Sequence, residues 1–166
     1  MCKVLFDTDI ISIFAKIDRL ELLKKVLPNK EICISQKVRE ELSVSLEYGY
    51  KFPRKIFAKF ETVLPSKNEM QEYNRELEKG DRKLGKGEIE SIIICKKRKY
   101  FFASADDRAI IYAQKKKVEV ITLRAIFQTA IALKIPESKE VRKIIEEIEK
   151  TNNRDLSTLA IEIKER

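Results

Sequence analysis

The 166-residue chain contains no histidine. That absence excludes Ser-His-Asp triads, imidazole general bases and histidine-ligated zinc, so any catalysis must use carboxylates, lysines, tyrosines, thiols or a metal held by oxygen. Cysteine is scarce too. Cys2, Cys33 and Cys95 are odd in number and lack paired spacing, and two of them fall in apolar runs, so they read as reduced core residues and not as a disulfide framework or ligand set. No apolar run approaches the ~20 residues needed to cross a bilayer, and nothing resembles a secretory signal, so a soluble, cytoplasmic protein without a membrane partner is expected. Glycine is limited to four residues, and no repeat or low-complexity linker is visible. The GKGE run at Gly85 to Glu88 lacks the Gly-Lys-Ser/Thr ending of a P-loop and follows no predicted strand.

Charge, by contrast, is abundant. Charged residues make up 37% of the chain, with a net charge of +8 and a pI near 9.3, a balance that permits a polyanionic partner such as nucleic acid without demanding one. High charge together with many isoleucines and few glycines resembles thermophile composition. The length suits a single core that buries roughly two-thirds of the unfolded surface.

The stretch VLFDTDIISIF, Val4 to Phe14, opens the pattern: a short apolar run ends in Asp7 and Asp9, and Ile10, Ile11, Phe14 and Ile17 then recur at helical spacing. EICIS, Glu31 to Ser35, reads as a second strand, and Ser35 caps a helix carrying Val38, Glu41, Leu42 and Ser45. A short helix is expected to about Val63, ending before Pro65. Ser66 and Glu69 form a capping box that opens a polar helix towards Glu78. Leu84 to Lys99 is apolar over most of its circumference, as in a buried helix. Tyr100 to Ala105 and Val118 to Thr122 read as strands, with helices over Asp107 to Lys115 and Leu123 to Leu133. Strands separated by helices predict an α/β fold with a central, mainly parallel sheet of four to five strands in a Rossmann-like three-layer α/β/α sandwich. Residues 1–133 are expected to form the domain, and 134–166 a helical extension, packed on it or at an interface, with Val141, Ile144, Ile145 and Ile148 at helical spacing and a break at Asn152 to Asp155 before a final amphipathic segment.

This topology can bring four acidic groups together. Asp7 and Asp9 close the first strand, Glu41 lies one to two turns into the following helix, Glu88 opens the buried helix, and Asp106 and Asp107 close FFASA. Taken singly, each has an ordinary explanation: the aspartates as helix caps, Glu41 as a solvated helix residue beside Glu40. Taken together they point to the carboxyl ends of parallel strands, where open α/β sheets bind ligands. Clustered carboxylates repel one another unless a hard cation such as Mg2+ or Mn2+ takes their oxygens.

In order and spacing these motifs resemble the PIN-domain family over roughly residues 3 to 133. VLFDTDIIS resembles the family's opening strand, SQKVREEL the segment whose acid precedes a leucine, GKGEIESI the third acidic motif, and ASADDR the family's Thr-x-Asp-Arg. The resemblance implies a metal-dependent endoribonuclease, including the toxins of toxin-antitoxin pairs, with Asp7, Glu41, Glu88 and Asp107 as its acids. Asp9 then supports Asp7, and Asp106 neighbours Asp107. Ala105 stands where the last motif usually has threonine or serine, which leaves Ser104 and Asp106 as the alternative pair. ITLRAIF lacks a further acid that many members carry, Thr122 being its only evident polar group, and a catalytically silent RNA-binding or protein-interaction module is the alternative function. The implied partners are RNA, an antitoxin protein and a second copy of the chain. Lys51, Arg54 and Lys55, interleaved with Phe52, are the candidates for RNA contact, together with Arg108. Lys96 to Lys99 and Lys115 to Lys117 suit the ends of solvated helices.

Overall fold

The computed structural model describes residues 2–80, 83–135, 138–152 and 156. The expected final amphipathic segment and the break before it lie largely outside these. In chain order the elements are β1 (Cys2–Phe6), α1 (Thr8–Lys16), α2 (Leu20–Val26), β2 (Lys30–Ser35), α3 (Gln36–Glu47), α4 (Pro53–Lys59), β3 (Glu61–Val63), α5 (Lys67–Glu78), α6 (Lys86–Arg98), β4 (Phe101–Ser104), α7 (Asp107–Lys115), β5 (Val120–Thr122), α8 (Leu123–Ala132) and α9 (Ser138–Asn152). The five strands form one sheet in the order β3-β2-β1-β4-β5, and every pairing is parallel.

Side-chain alternation builds the three layers. On β1, Val4 and Phe6 enter one core cluster while Leu5 enters the other; Ile32 and Ile34 divide from Cys33 on β2 in the same way. The first cluster takes apolar residues from α1, α2, α8 and α9, and the second is closed by Ile92 and Cys95 of α6 with Ala109 and Ala113 of α7. Strands covered on both faces read as continuous apolar runs, which is how β1 appears in the sequence. The charged helix after Pro136 turns its stripe inward: Val141, Ile144, Ile145 and Ile148 are buried in the first cluster with α1 and α8.

Two local expectations are corrected. The segment before Pro65 is not one helix to Val63: α4 ends at Lys59, and Glu61–Val63 pair with β2 as an edge strand. Three residues with a single ladder neighbour are too short to show period-2 alternation. A further helix, α2, occupies the segment between α1 and the turn at Pro28.

Outside α6, α5 is fastened by charge. Its capping box forms as expected, with Ser66 Oγ accepting from the Glu69 amide at 3.3 Å and the Glu69 carboxylate accepting from the Ser66 amide at 2.7 Å. Glu69 also takes a two-pronged bond from Arg98, Nε at 2.9 Å and NH2 at 2.7 Å, and the same NH2 reaches the Leu64 carbonyl at 2.9 Å. Burial works to raise the Glu69 carboxyl, but the Arg98 and Ser66 hydrogen bonds hold it below its ordinary value. Removing Arg98 leaves the buried Glu69 carboxylate without its counter-charge, held by the Ser66 amide alone. Arg98→Ala is therefore expected to lower the unfolding free energy by about 2–3 kcal/mol; a urea midpoint equal to wild type would refute the clamp.

Candidate active site

The strand order reverses between β1 and β4: the chain runs outward through β2 and β3 on one side of β1, then crosses to β4 and β5 on the other. A crevice outside the carboxyl ends of strands at such a switch point is where open parallel sheets bind ligands. Asp7 and Ser104 stand at those two ends. The Asp7 amide donates to the Ala103 carbonyl at 3.0 Å, carrying the β1–β4 ladder one step beyond the strand.

Asp7 is 1% exposed. Its Oδ1 accepts from the Ile10 amide at 2.8 Å, capping α1, and its Oδ2 accepts from the hydroxyl of buried Ser104. Both bonds favour the carboxylate, yet burial outweighs them. Desolvation, reinforced by the charges of Asp9 and Glu88, pushes the Asp7 carboxyl up to about 7. Glu88 lies in the first turn of α6, where its Oε2 accepts from the Gly85 amide at 2.9 Å. Burial raises it to about 6, opposed by that bond and assisted by Asp106, Asp9 and Glu41. Five acids from four separate segments thus act on one another at the switch point.

The neighbours of Glu41 fix its direction. Thr8 donates its hydroxyl to one Glu41 oxygen, and the Gly87 amide donates to the other at 2.9 Å. Glu40, one residue earlier, is exposed and pairs with Lys37 at 2.8 Å, so the helix phase turns Glu41 inward and Glu40 out. Glu90 points elsewhere: it is buried and accepts from the Lys37 amide at 2.8 Å. Gly87 is required by the close approach of α3. A Cβ built there would lie 2.8 Å from Glu41 Oε2 and 2.9 Å from Val38 Cγ2.

At the end of β4 two successive aspartates, Asp106 and Asp107, follow Ala105. The charge acting on Glu88 comes from Asp106, and Asp107 is exposed one position on, in the first turn of α7. Asp106 caps α7 by accepting from the Arg108 and Ala109 amides at 2.8 and 3.1 Å, and its own amide donates to Ser104 Oγ at 3.1 Å. Ser104 and Asp106 are thus the pair at this strand end. Sequence reasoning gave no role to Thr8, Ser104's contact with Asp7 or Gly87; the hydroxyls beside the acidic motifs were the available signal. Thr122 is occupied as the cap of α8, accepting from the Ala125 amide at 3.1 Å.

The four basic candidates divide. Arg108 follows the acids directly on α7, whereas Lys51, before α4, and Arg54 and Lys55, in its first turn, are exposed, and Lys55 is held by Asp18 at 3.1 Å.

A hard cation fits this donor set in a particular way. Among the described residues, the acids and thiols whose ligand atoms lie within 4.8 Å of one another are Glu31, Cys33 and Glu61, not the switch-point acids. That trio is occupied by Lys3, whose ammonium sits 3.4 Å from Glu31 and 3.1 Å from Glu61, and burial pushes the Cys33 thiol up to about 11. The switch-point carboxylates are spaced more widely. Such a set would not form an all-protein cage; it could offer a hard cation one or two carboxylates, the rest of its oxygens coming from water or a phosphate.

The fold and the site define a parallel α/β domain with an acidic cleft at its topological switch point. A family model described as a PIN domain (DUF3368) matches residues 3–165, and the chain belongs to that family. The match extends through α9. No curated protein matches the sequence. Among solved structures, VapBC2 from Rickettsia felis bound to a DNA fragment from its promoter is 15% identical, with a TM-score of 0.57 over 72% of this chain and 98% of that one. VapBC-1 from nontypeable Haemophilus influenzae is 16% identical, with a TM-score of 0.53 over 72% and 97%. These similarities establish the PIN-like α/β sandwich.

Two outcomes follow from the geometry. The native fold keeps protons on Asp7 and Glu88 that the unfolded chain releases above their ordinary values of 3.8 and 4.5. The unfolded state therefore binds fewer protons as pH rises, and stability of the metal-free protein should fall between about pH 4 and 7, by a few kcal/mol in total. Thermal melts across that range test this; Asp7→Asn should flatten the dependence, and an equally steep profile in the variant would refute the assignment. Gly87→Ala, in turn, is expected to cost about 1–3 kcal/mol by overpacking against Glu41 and Val38. Chemical denaturation measures it, and an unchanged midpoint would show that α3 and α6 are not in such contact.

Proposed function

We propose that this PIN-domain protein is a divalent-metal-dependent endoribonuclease, with Asp7, Glu88 and Asp106 holding Mg2+ or Mn2+. The observation that carries the reading is the convergence of Asp7, Asp9, Glu41, Glu88 and Asp106 at the switch point, with Asp7 buried and two carboxyls displaced upward. Repelling carboxylates held in a partly buried cleft are costly in isolation and are relieved by a cation. When bound, the cation supplies Lewis-acid stabilisation of charge on a phosphoryl oxygen and a water of lowered pKa.

The chain's own residues have separable tasks. Ser104 and the Ile10 amide fix the Asp7 carboxylate in one orientation, Ser104 acting as a positioning residue. Thr8 and the Gly87 amide hold Glu41, and the cap of α6 holds Glu88. Asp9, exposed beside them, adds negative charge at the mouth and supports Asp7. Arg108 lies next to Asp106 and suits contact with a substrate phosphate. Net charge of +8 favours the approach of a polyanion. An antitoxin partner and a homodimer belong to the same reading, supported by the VapBC character of the similar structures; a small protein encoded in the adjacent reading frame is the observation that would accord with it.

Cleavage of end-labelled RNA should require Mg2+ or Mn2+ and stop in EDTA. Asp7→Asn should lower the rate by ~100-fold or more, and Ser104→Ala by ~10- to 100-fold through weakened metal binding. RNA that is bound but never cut under any metal would replace the nuclease reading with a binding module.

A further inference from the structure

We infer that the turn joining α3 to α4 is a base-stacking subsite, in which exposed Tyr48 and Tyr50 receive unpaired nucleobases of a polynucleotide and Lys51 and Arg54 take its phosphates. The inference rests on the proposed nuclease reading for its biological substrate, but the surface makes its own case. From Tyr48 to Phe60 the chain has five aromatic residues, four cations and no acid. A protein of 27 acidic residues leaves this segment without any, although acids are frequent elsewhere on its surface.

Tyr48 is 80% exposed and Tyr50 is 60% exposed. Large rings left in water have no packing role. The backbone that carries them is nevertheless fixed. The Tyr50 amide donates to the Ser45 carbonyl at 3.1 Å and the Gly49 amide to the Leu46 carbonyl at 2.9 Å, while Gly49 adopts φ +93. This is the paired-bond helix ending that glycine in the left-handed region permits, and it fixes the backbone on both sides of Gly49. Tyr50 meets Phe52 edge to face at 6.1 Å between ring centres, and the Lys16 ammonium lies 5.2 Å from the Phe52 ring. A platform ordered beforehand loses little entropy when a base stacks on it. Lys51 and Arg54 are exposed and enter no ion pair among the described residues, unlike Lys55 and Lys59.

The platform lies on the same helix as one of the acids. Glu41 and Tyr48 are seven residues apart, so they lie on one face of α3 with about 10 Å between them along its axis. α1 runs alongside, from the cap at Asp7 to Lys16 beneath Phe52. A strand whose phosphate lies among the acids would pass its neighbouring nucleotides towards Tyr48. Duplex nucleic acid, with its bases stacked inside, cannot use such rings.

Binding is measured by fluorescence anisotropy with labelled 12-nucleotide oligo(A), oligo(U) and a matched duplex, using the full chain in EDTA so that neither metal nor cleavage contributes. The expected result is that Tyr48→Ala/Tyr50→Ala weakens both single strands by ~10-fold or more and leaves the duplex unchanged, while Tyr48→Phe/Tyr50→Phe binds as wild type. Lys51→Ala/Arg54→Ala should reduce the salt dependence by up to two counterions. The inference is overturned if the alanine pair binds single strands as wild type, if oligonucleotides do not bind, or if the pair instead abolishes self-association in light scattering, which would make this a protein interface. Cleavage that persists with a silent tyrosine pair would sink the subsite alone; tyrosine-dependent binding without cleavage would sink the nuclease reading alone.

Discussion

A carboxylate buried at the seam between β1 and β4 is the constraint on which the site depends. Asp7 follows the central strand, its amide continues the ladder to Ala103, one side-chain oxygen starts α1 and the other meets Ser104 from the neighbouring strand. Removing a carboxylate from water is unfavourable unless its lone pairs are used. Here they are used by two groups that exist only when β1 and β4 are adjacent and α1 has begun. The same contacts therefore select the strand order and fix the direction of the acid. What they do not supply is a counter-charge, and the upward displacement of Asp7 and Glu88 records that deficit.

The deficit is tolerable because stability is drawn from elsewhere. α6 opens at Glu88 and closes at Arg98, and its closing turn is tied to α5 through Arg98 with Glu69 and through Lys96 and Lys97 with Glu72, at 2.9 and 3.0 Å for the lysines. The exposed lysine pairs contribute little individually; the half-buried arginine pair is the stronger element. Fastened at its far end and buried along its length by Ile92, Ile93, Ile94 and Cys95, α6 holds Glu88 in a place that local electrostatics disfavour. Position among the acids is thus set by packing and ion pairs up to about three turns away.

The readable parts of the sequence were those with a period. Apolar runs ending in acids mark β1 and β4, the resemblance of SQKVREEL singles out Glu41 beside Glu40, and the capping box at Ser66 is visible from two residues. The α9 stripe was legible as a stripe, but its destination depended on a tertiary surface, the α1–α8 face, that no local pattern specifies. β3 was lost because an edge strand of three residues carries no period. Asp106 and Asp107 differ by one residue in their distance from the end of β4. Both aspartates suit a helix start, and it takes the bonds of Asp106, from its amide to Ser104 and to its side chain from the Arg108 and Ala109 amides, to tell them apart. Gly87 shows the same limit in another form: its need arises from a side chain of α3, 46 residues away in the chain.

Charge segregation then gives the molecule a direction. The acids gather where β1, β4, α3 and α6 meet, while the acid-free, aromatic and basic segment lies where α1 and α3 end. Both helices start at the cleft, so their lengths, nine and twelve residues, set the separation of the two regions. At ~1.5 Å per residue this amounts to roughly 10 Å from Glu41 to Tyr48 on α3 and about 13 Å along α1. A polyanion meets repulsion at the acids unless a cation is present, and attraction at the far end of α3 whether or not one is. On the proposed reading, binding and chemistry are therefore separable: the basic end would hold a strand without metal, and the acidic end would act on it only when its own charge is compensated.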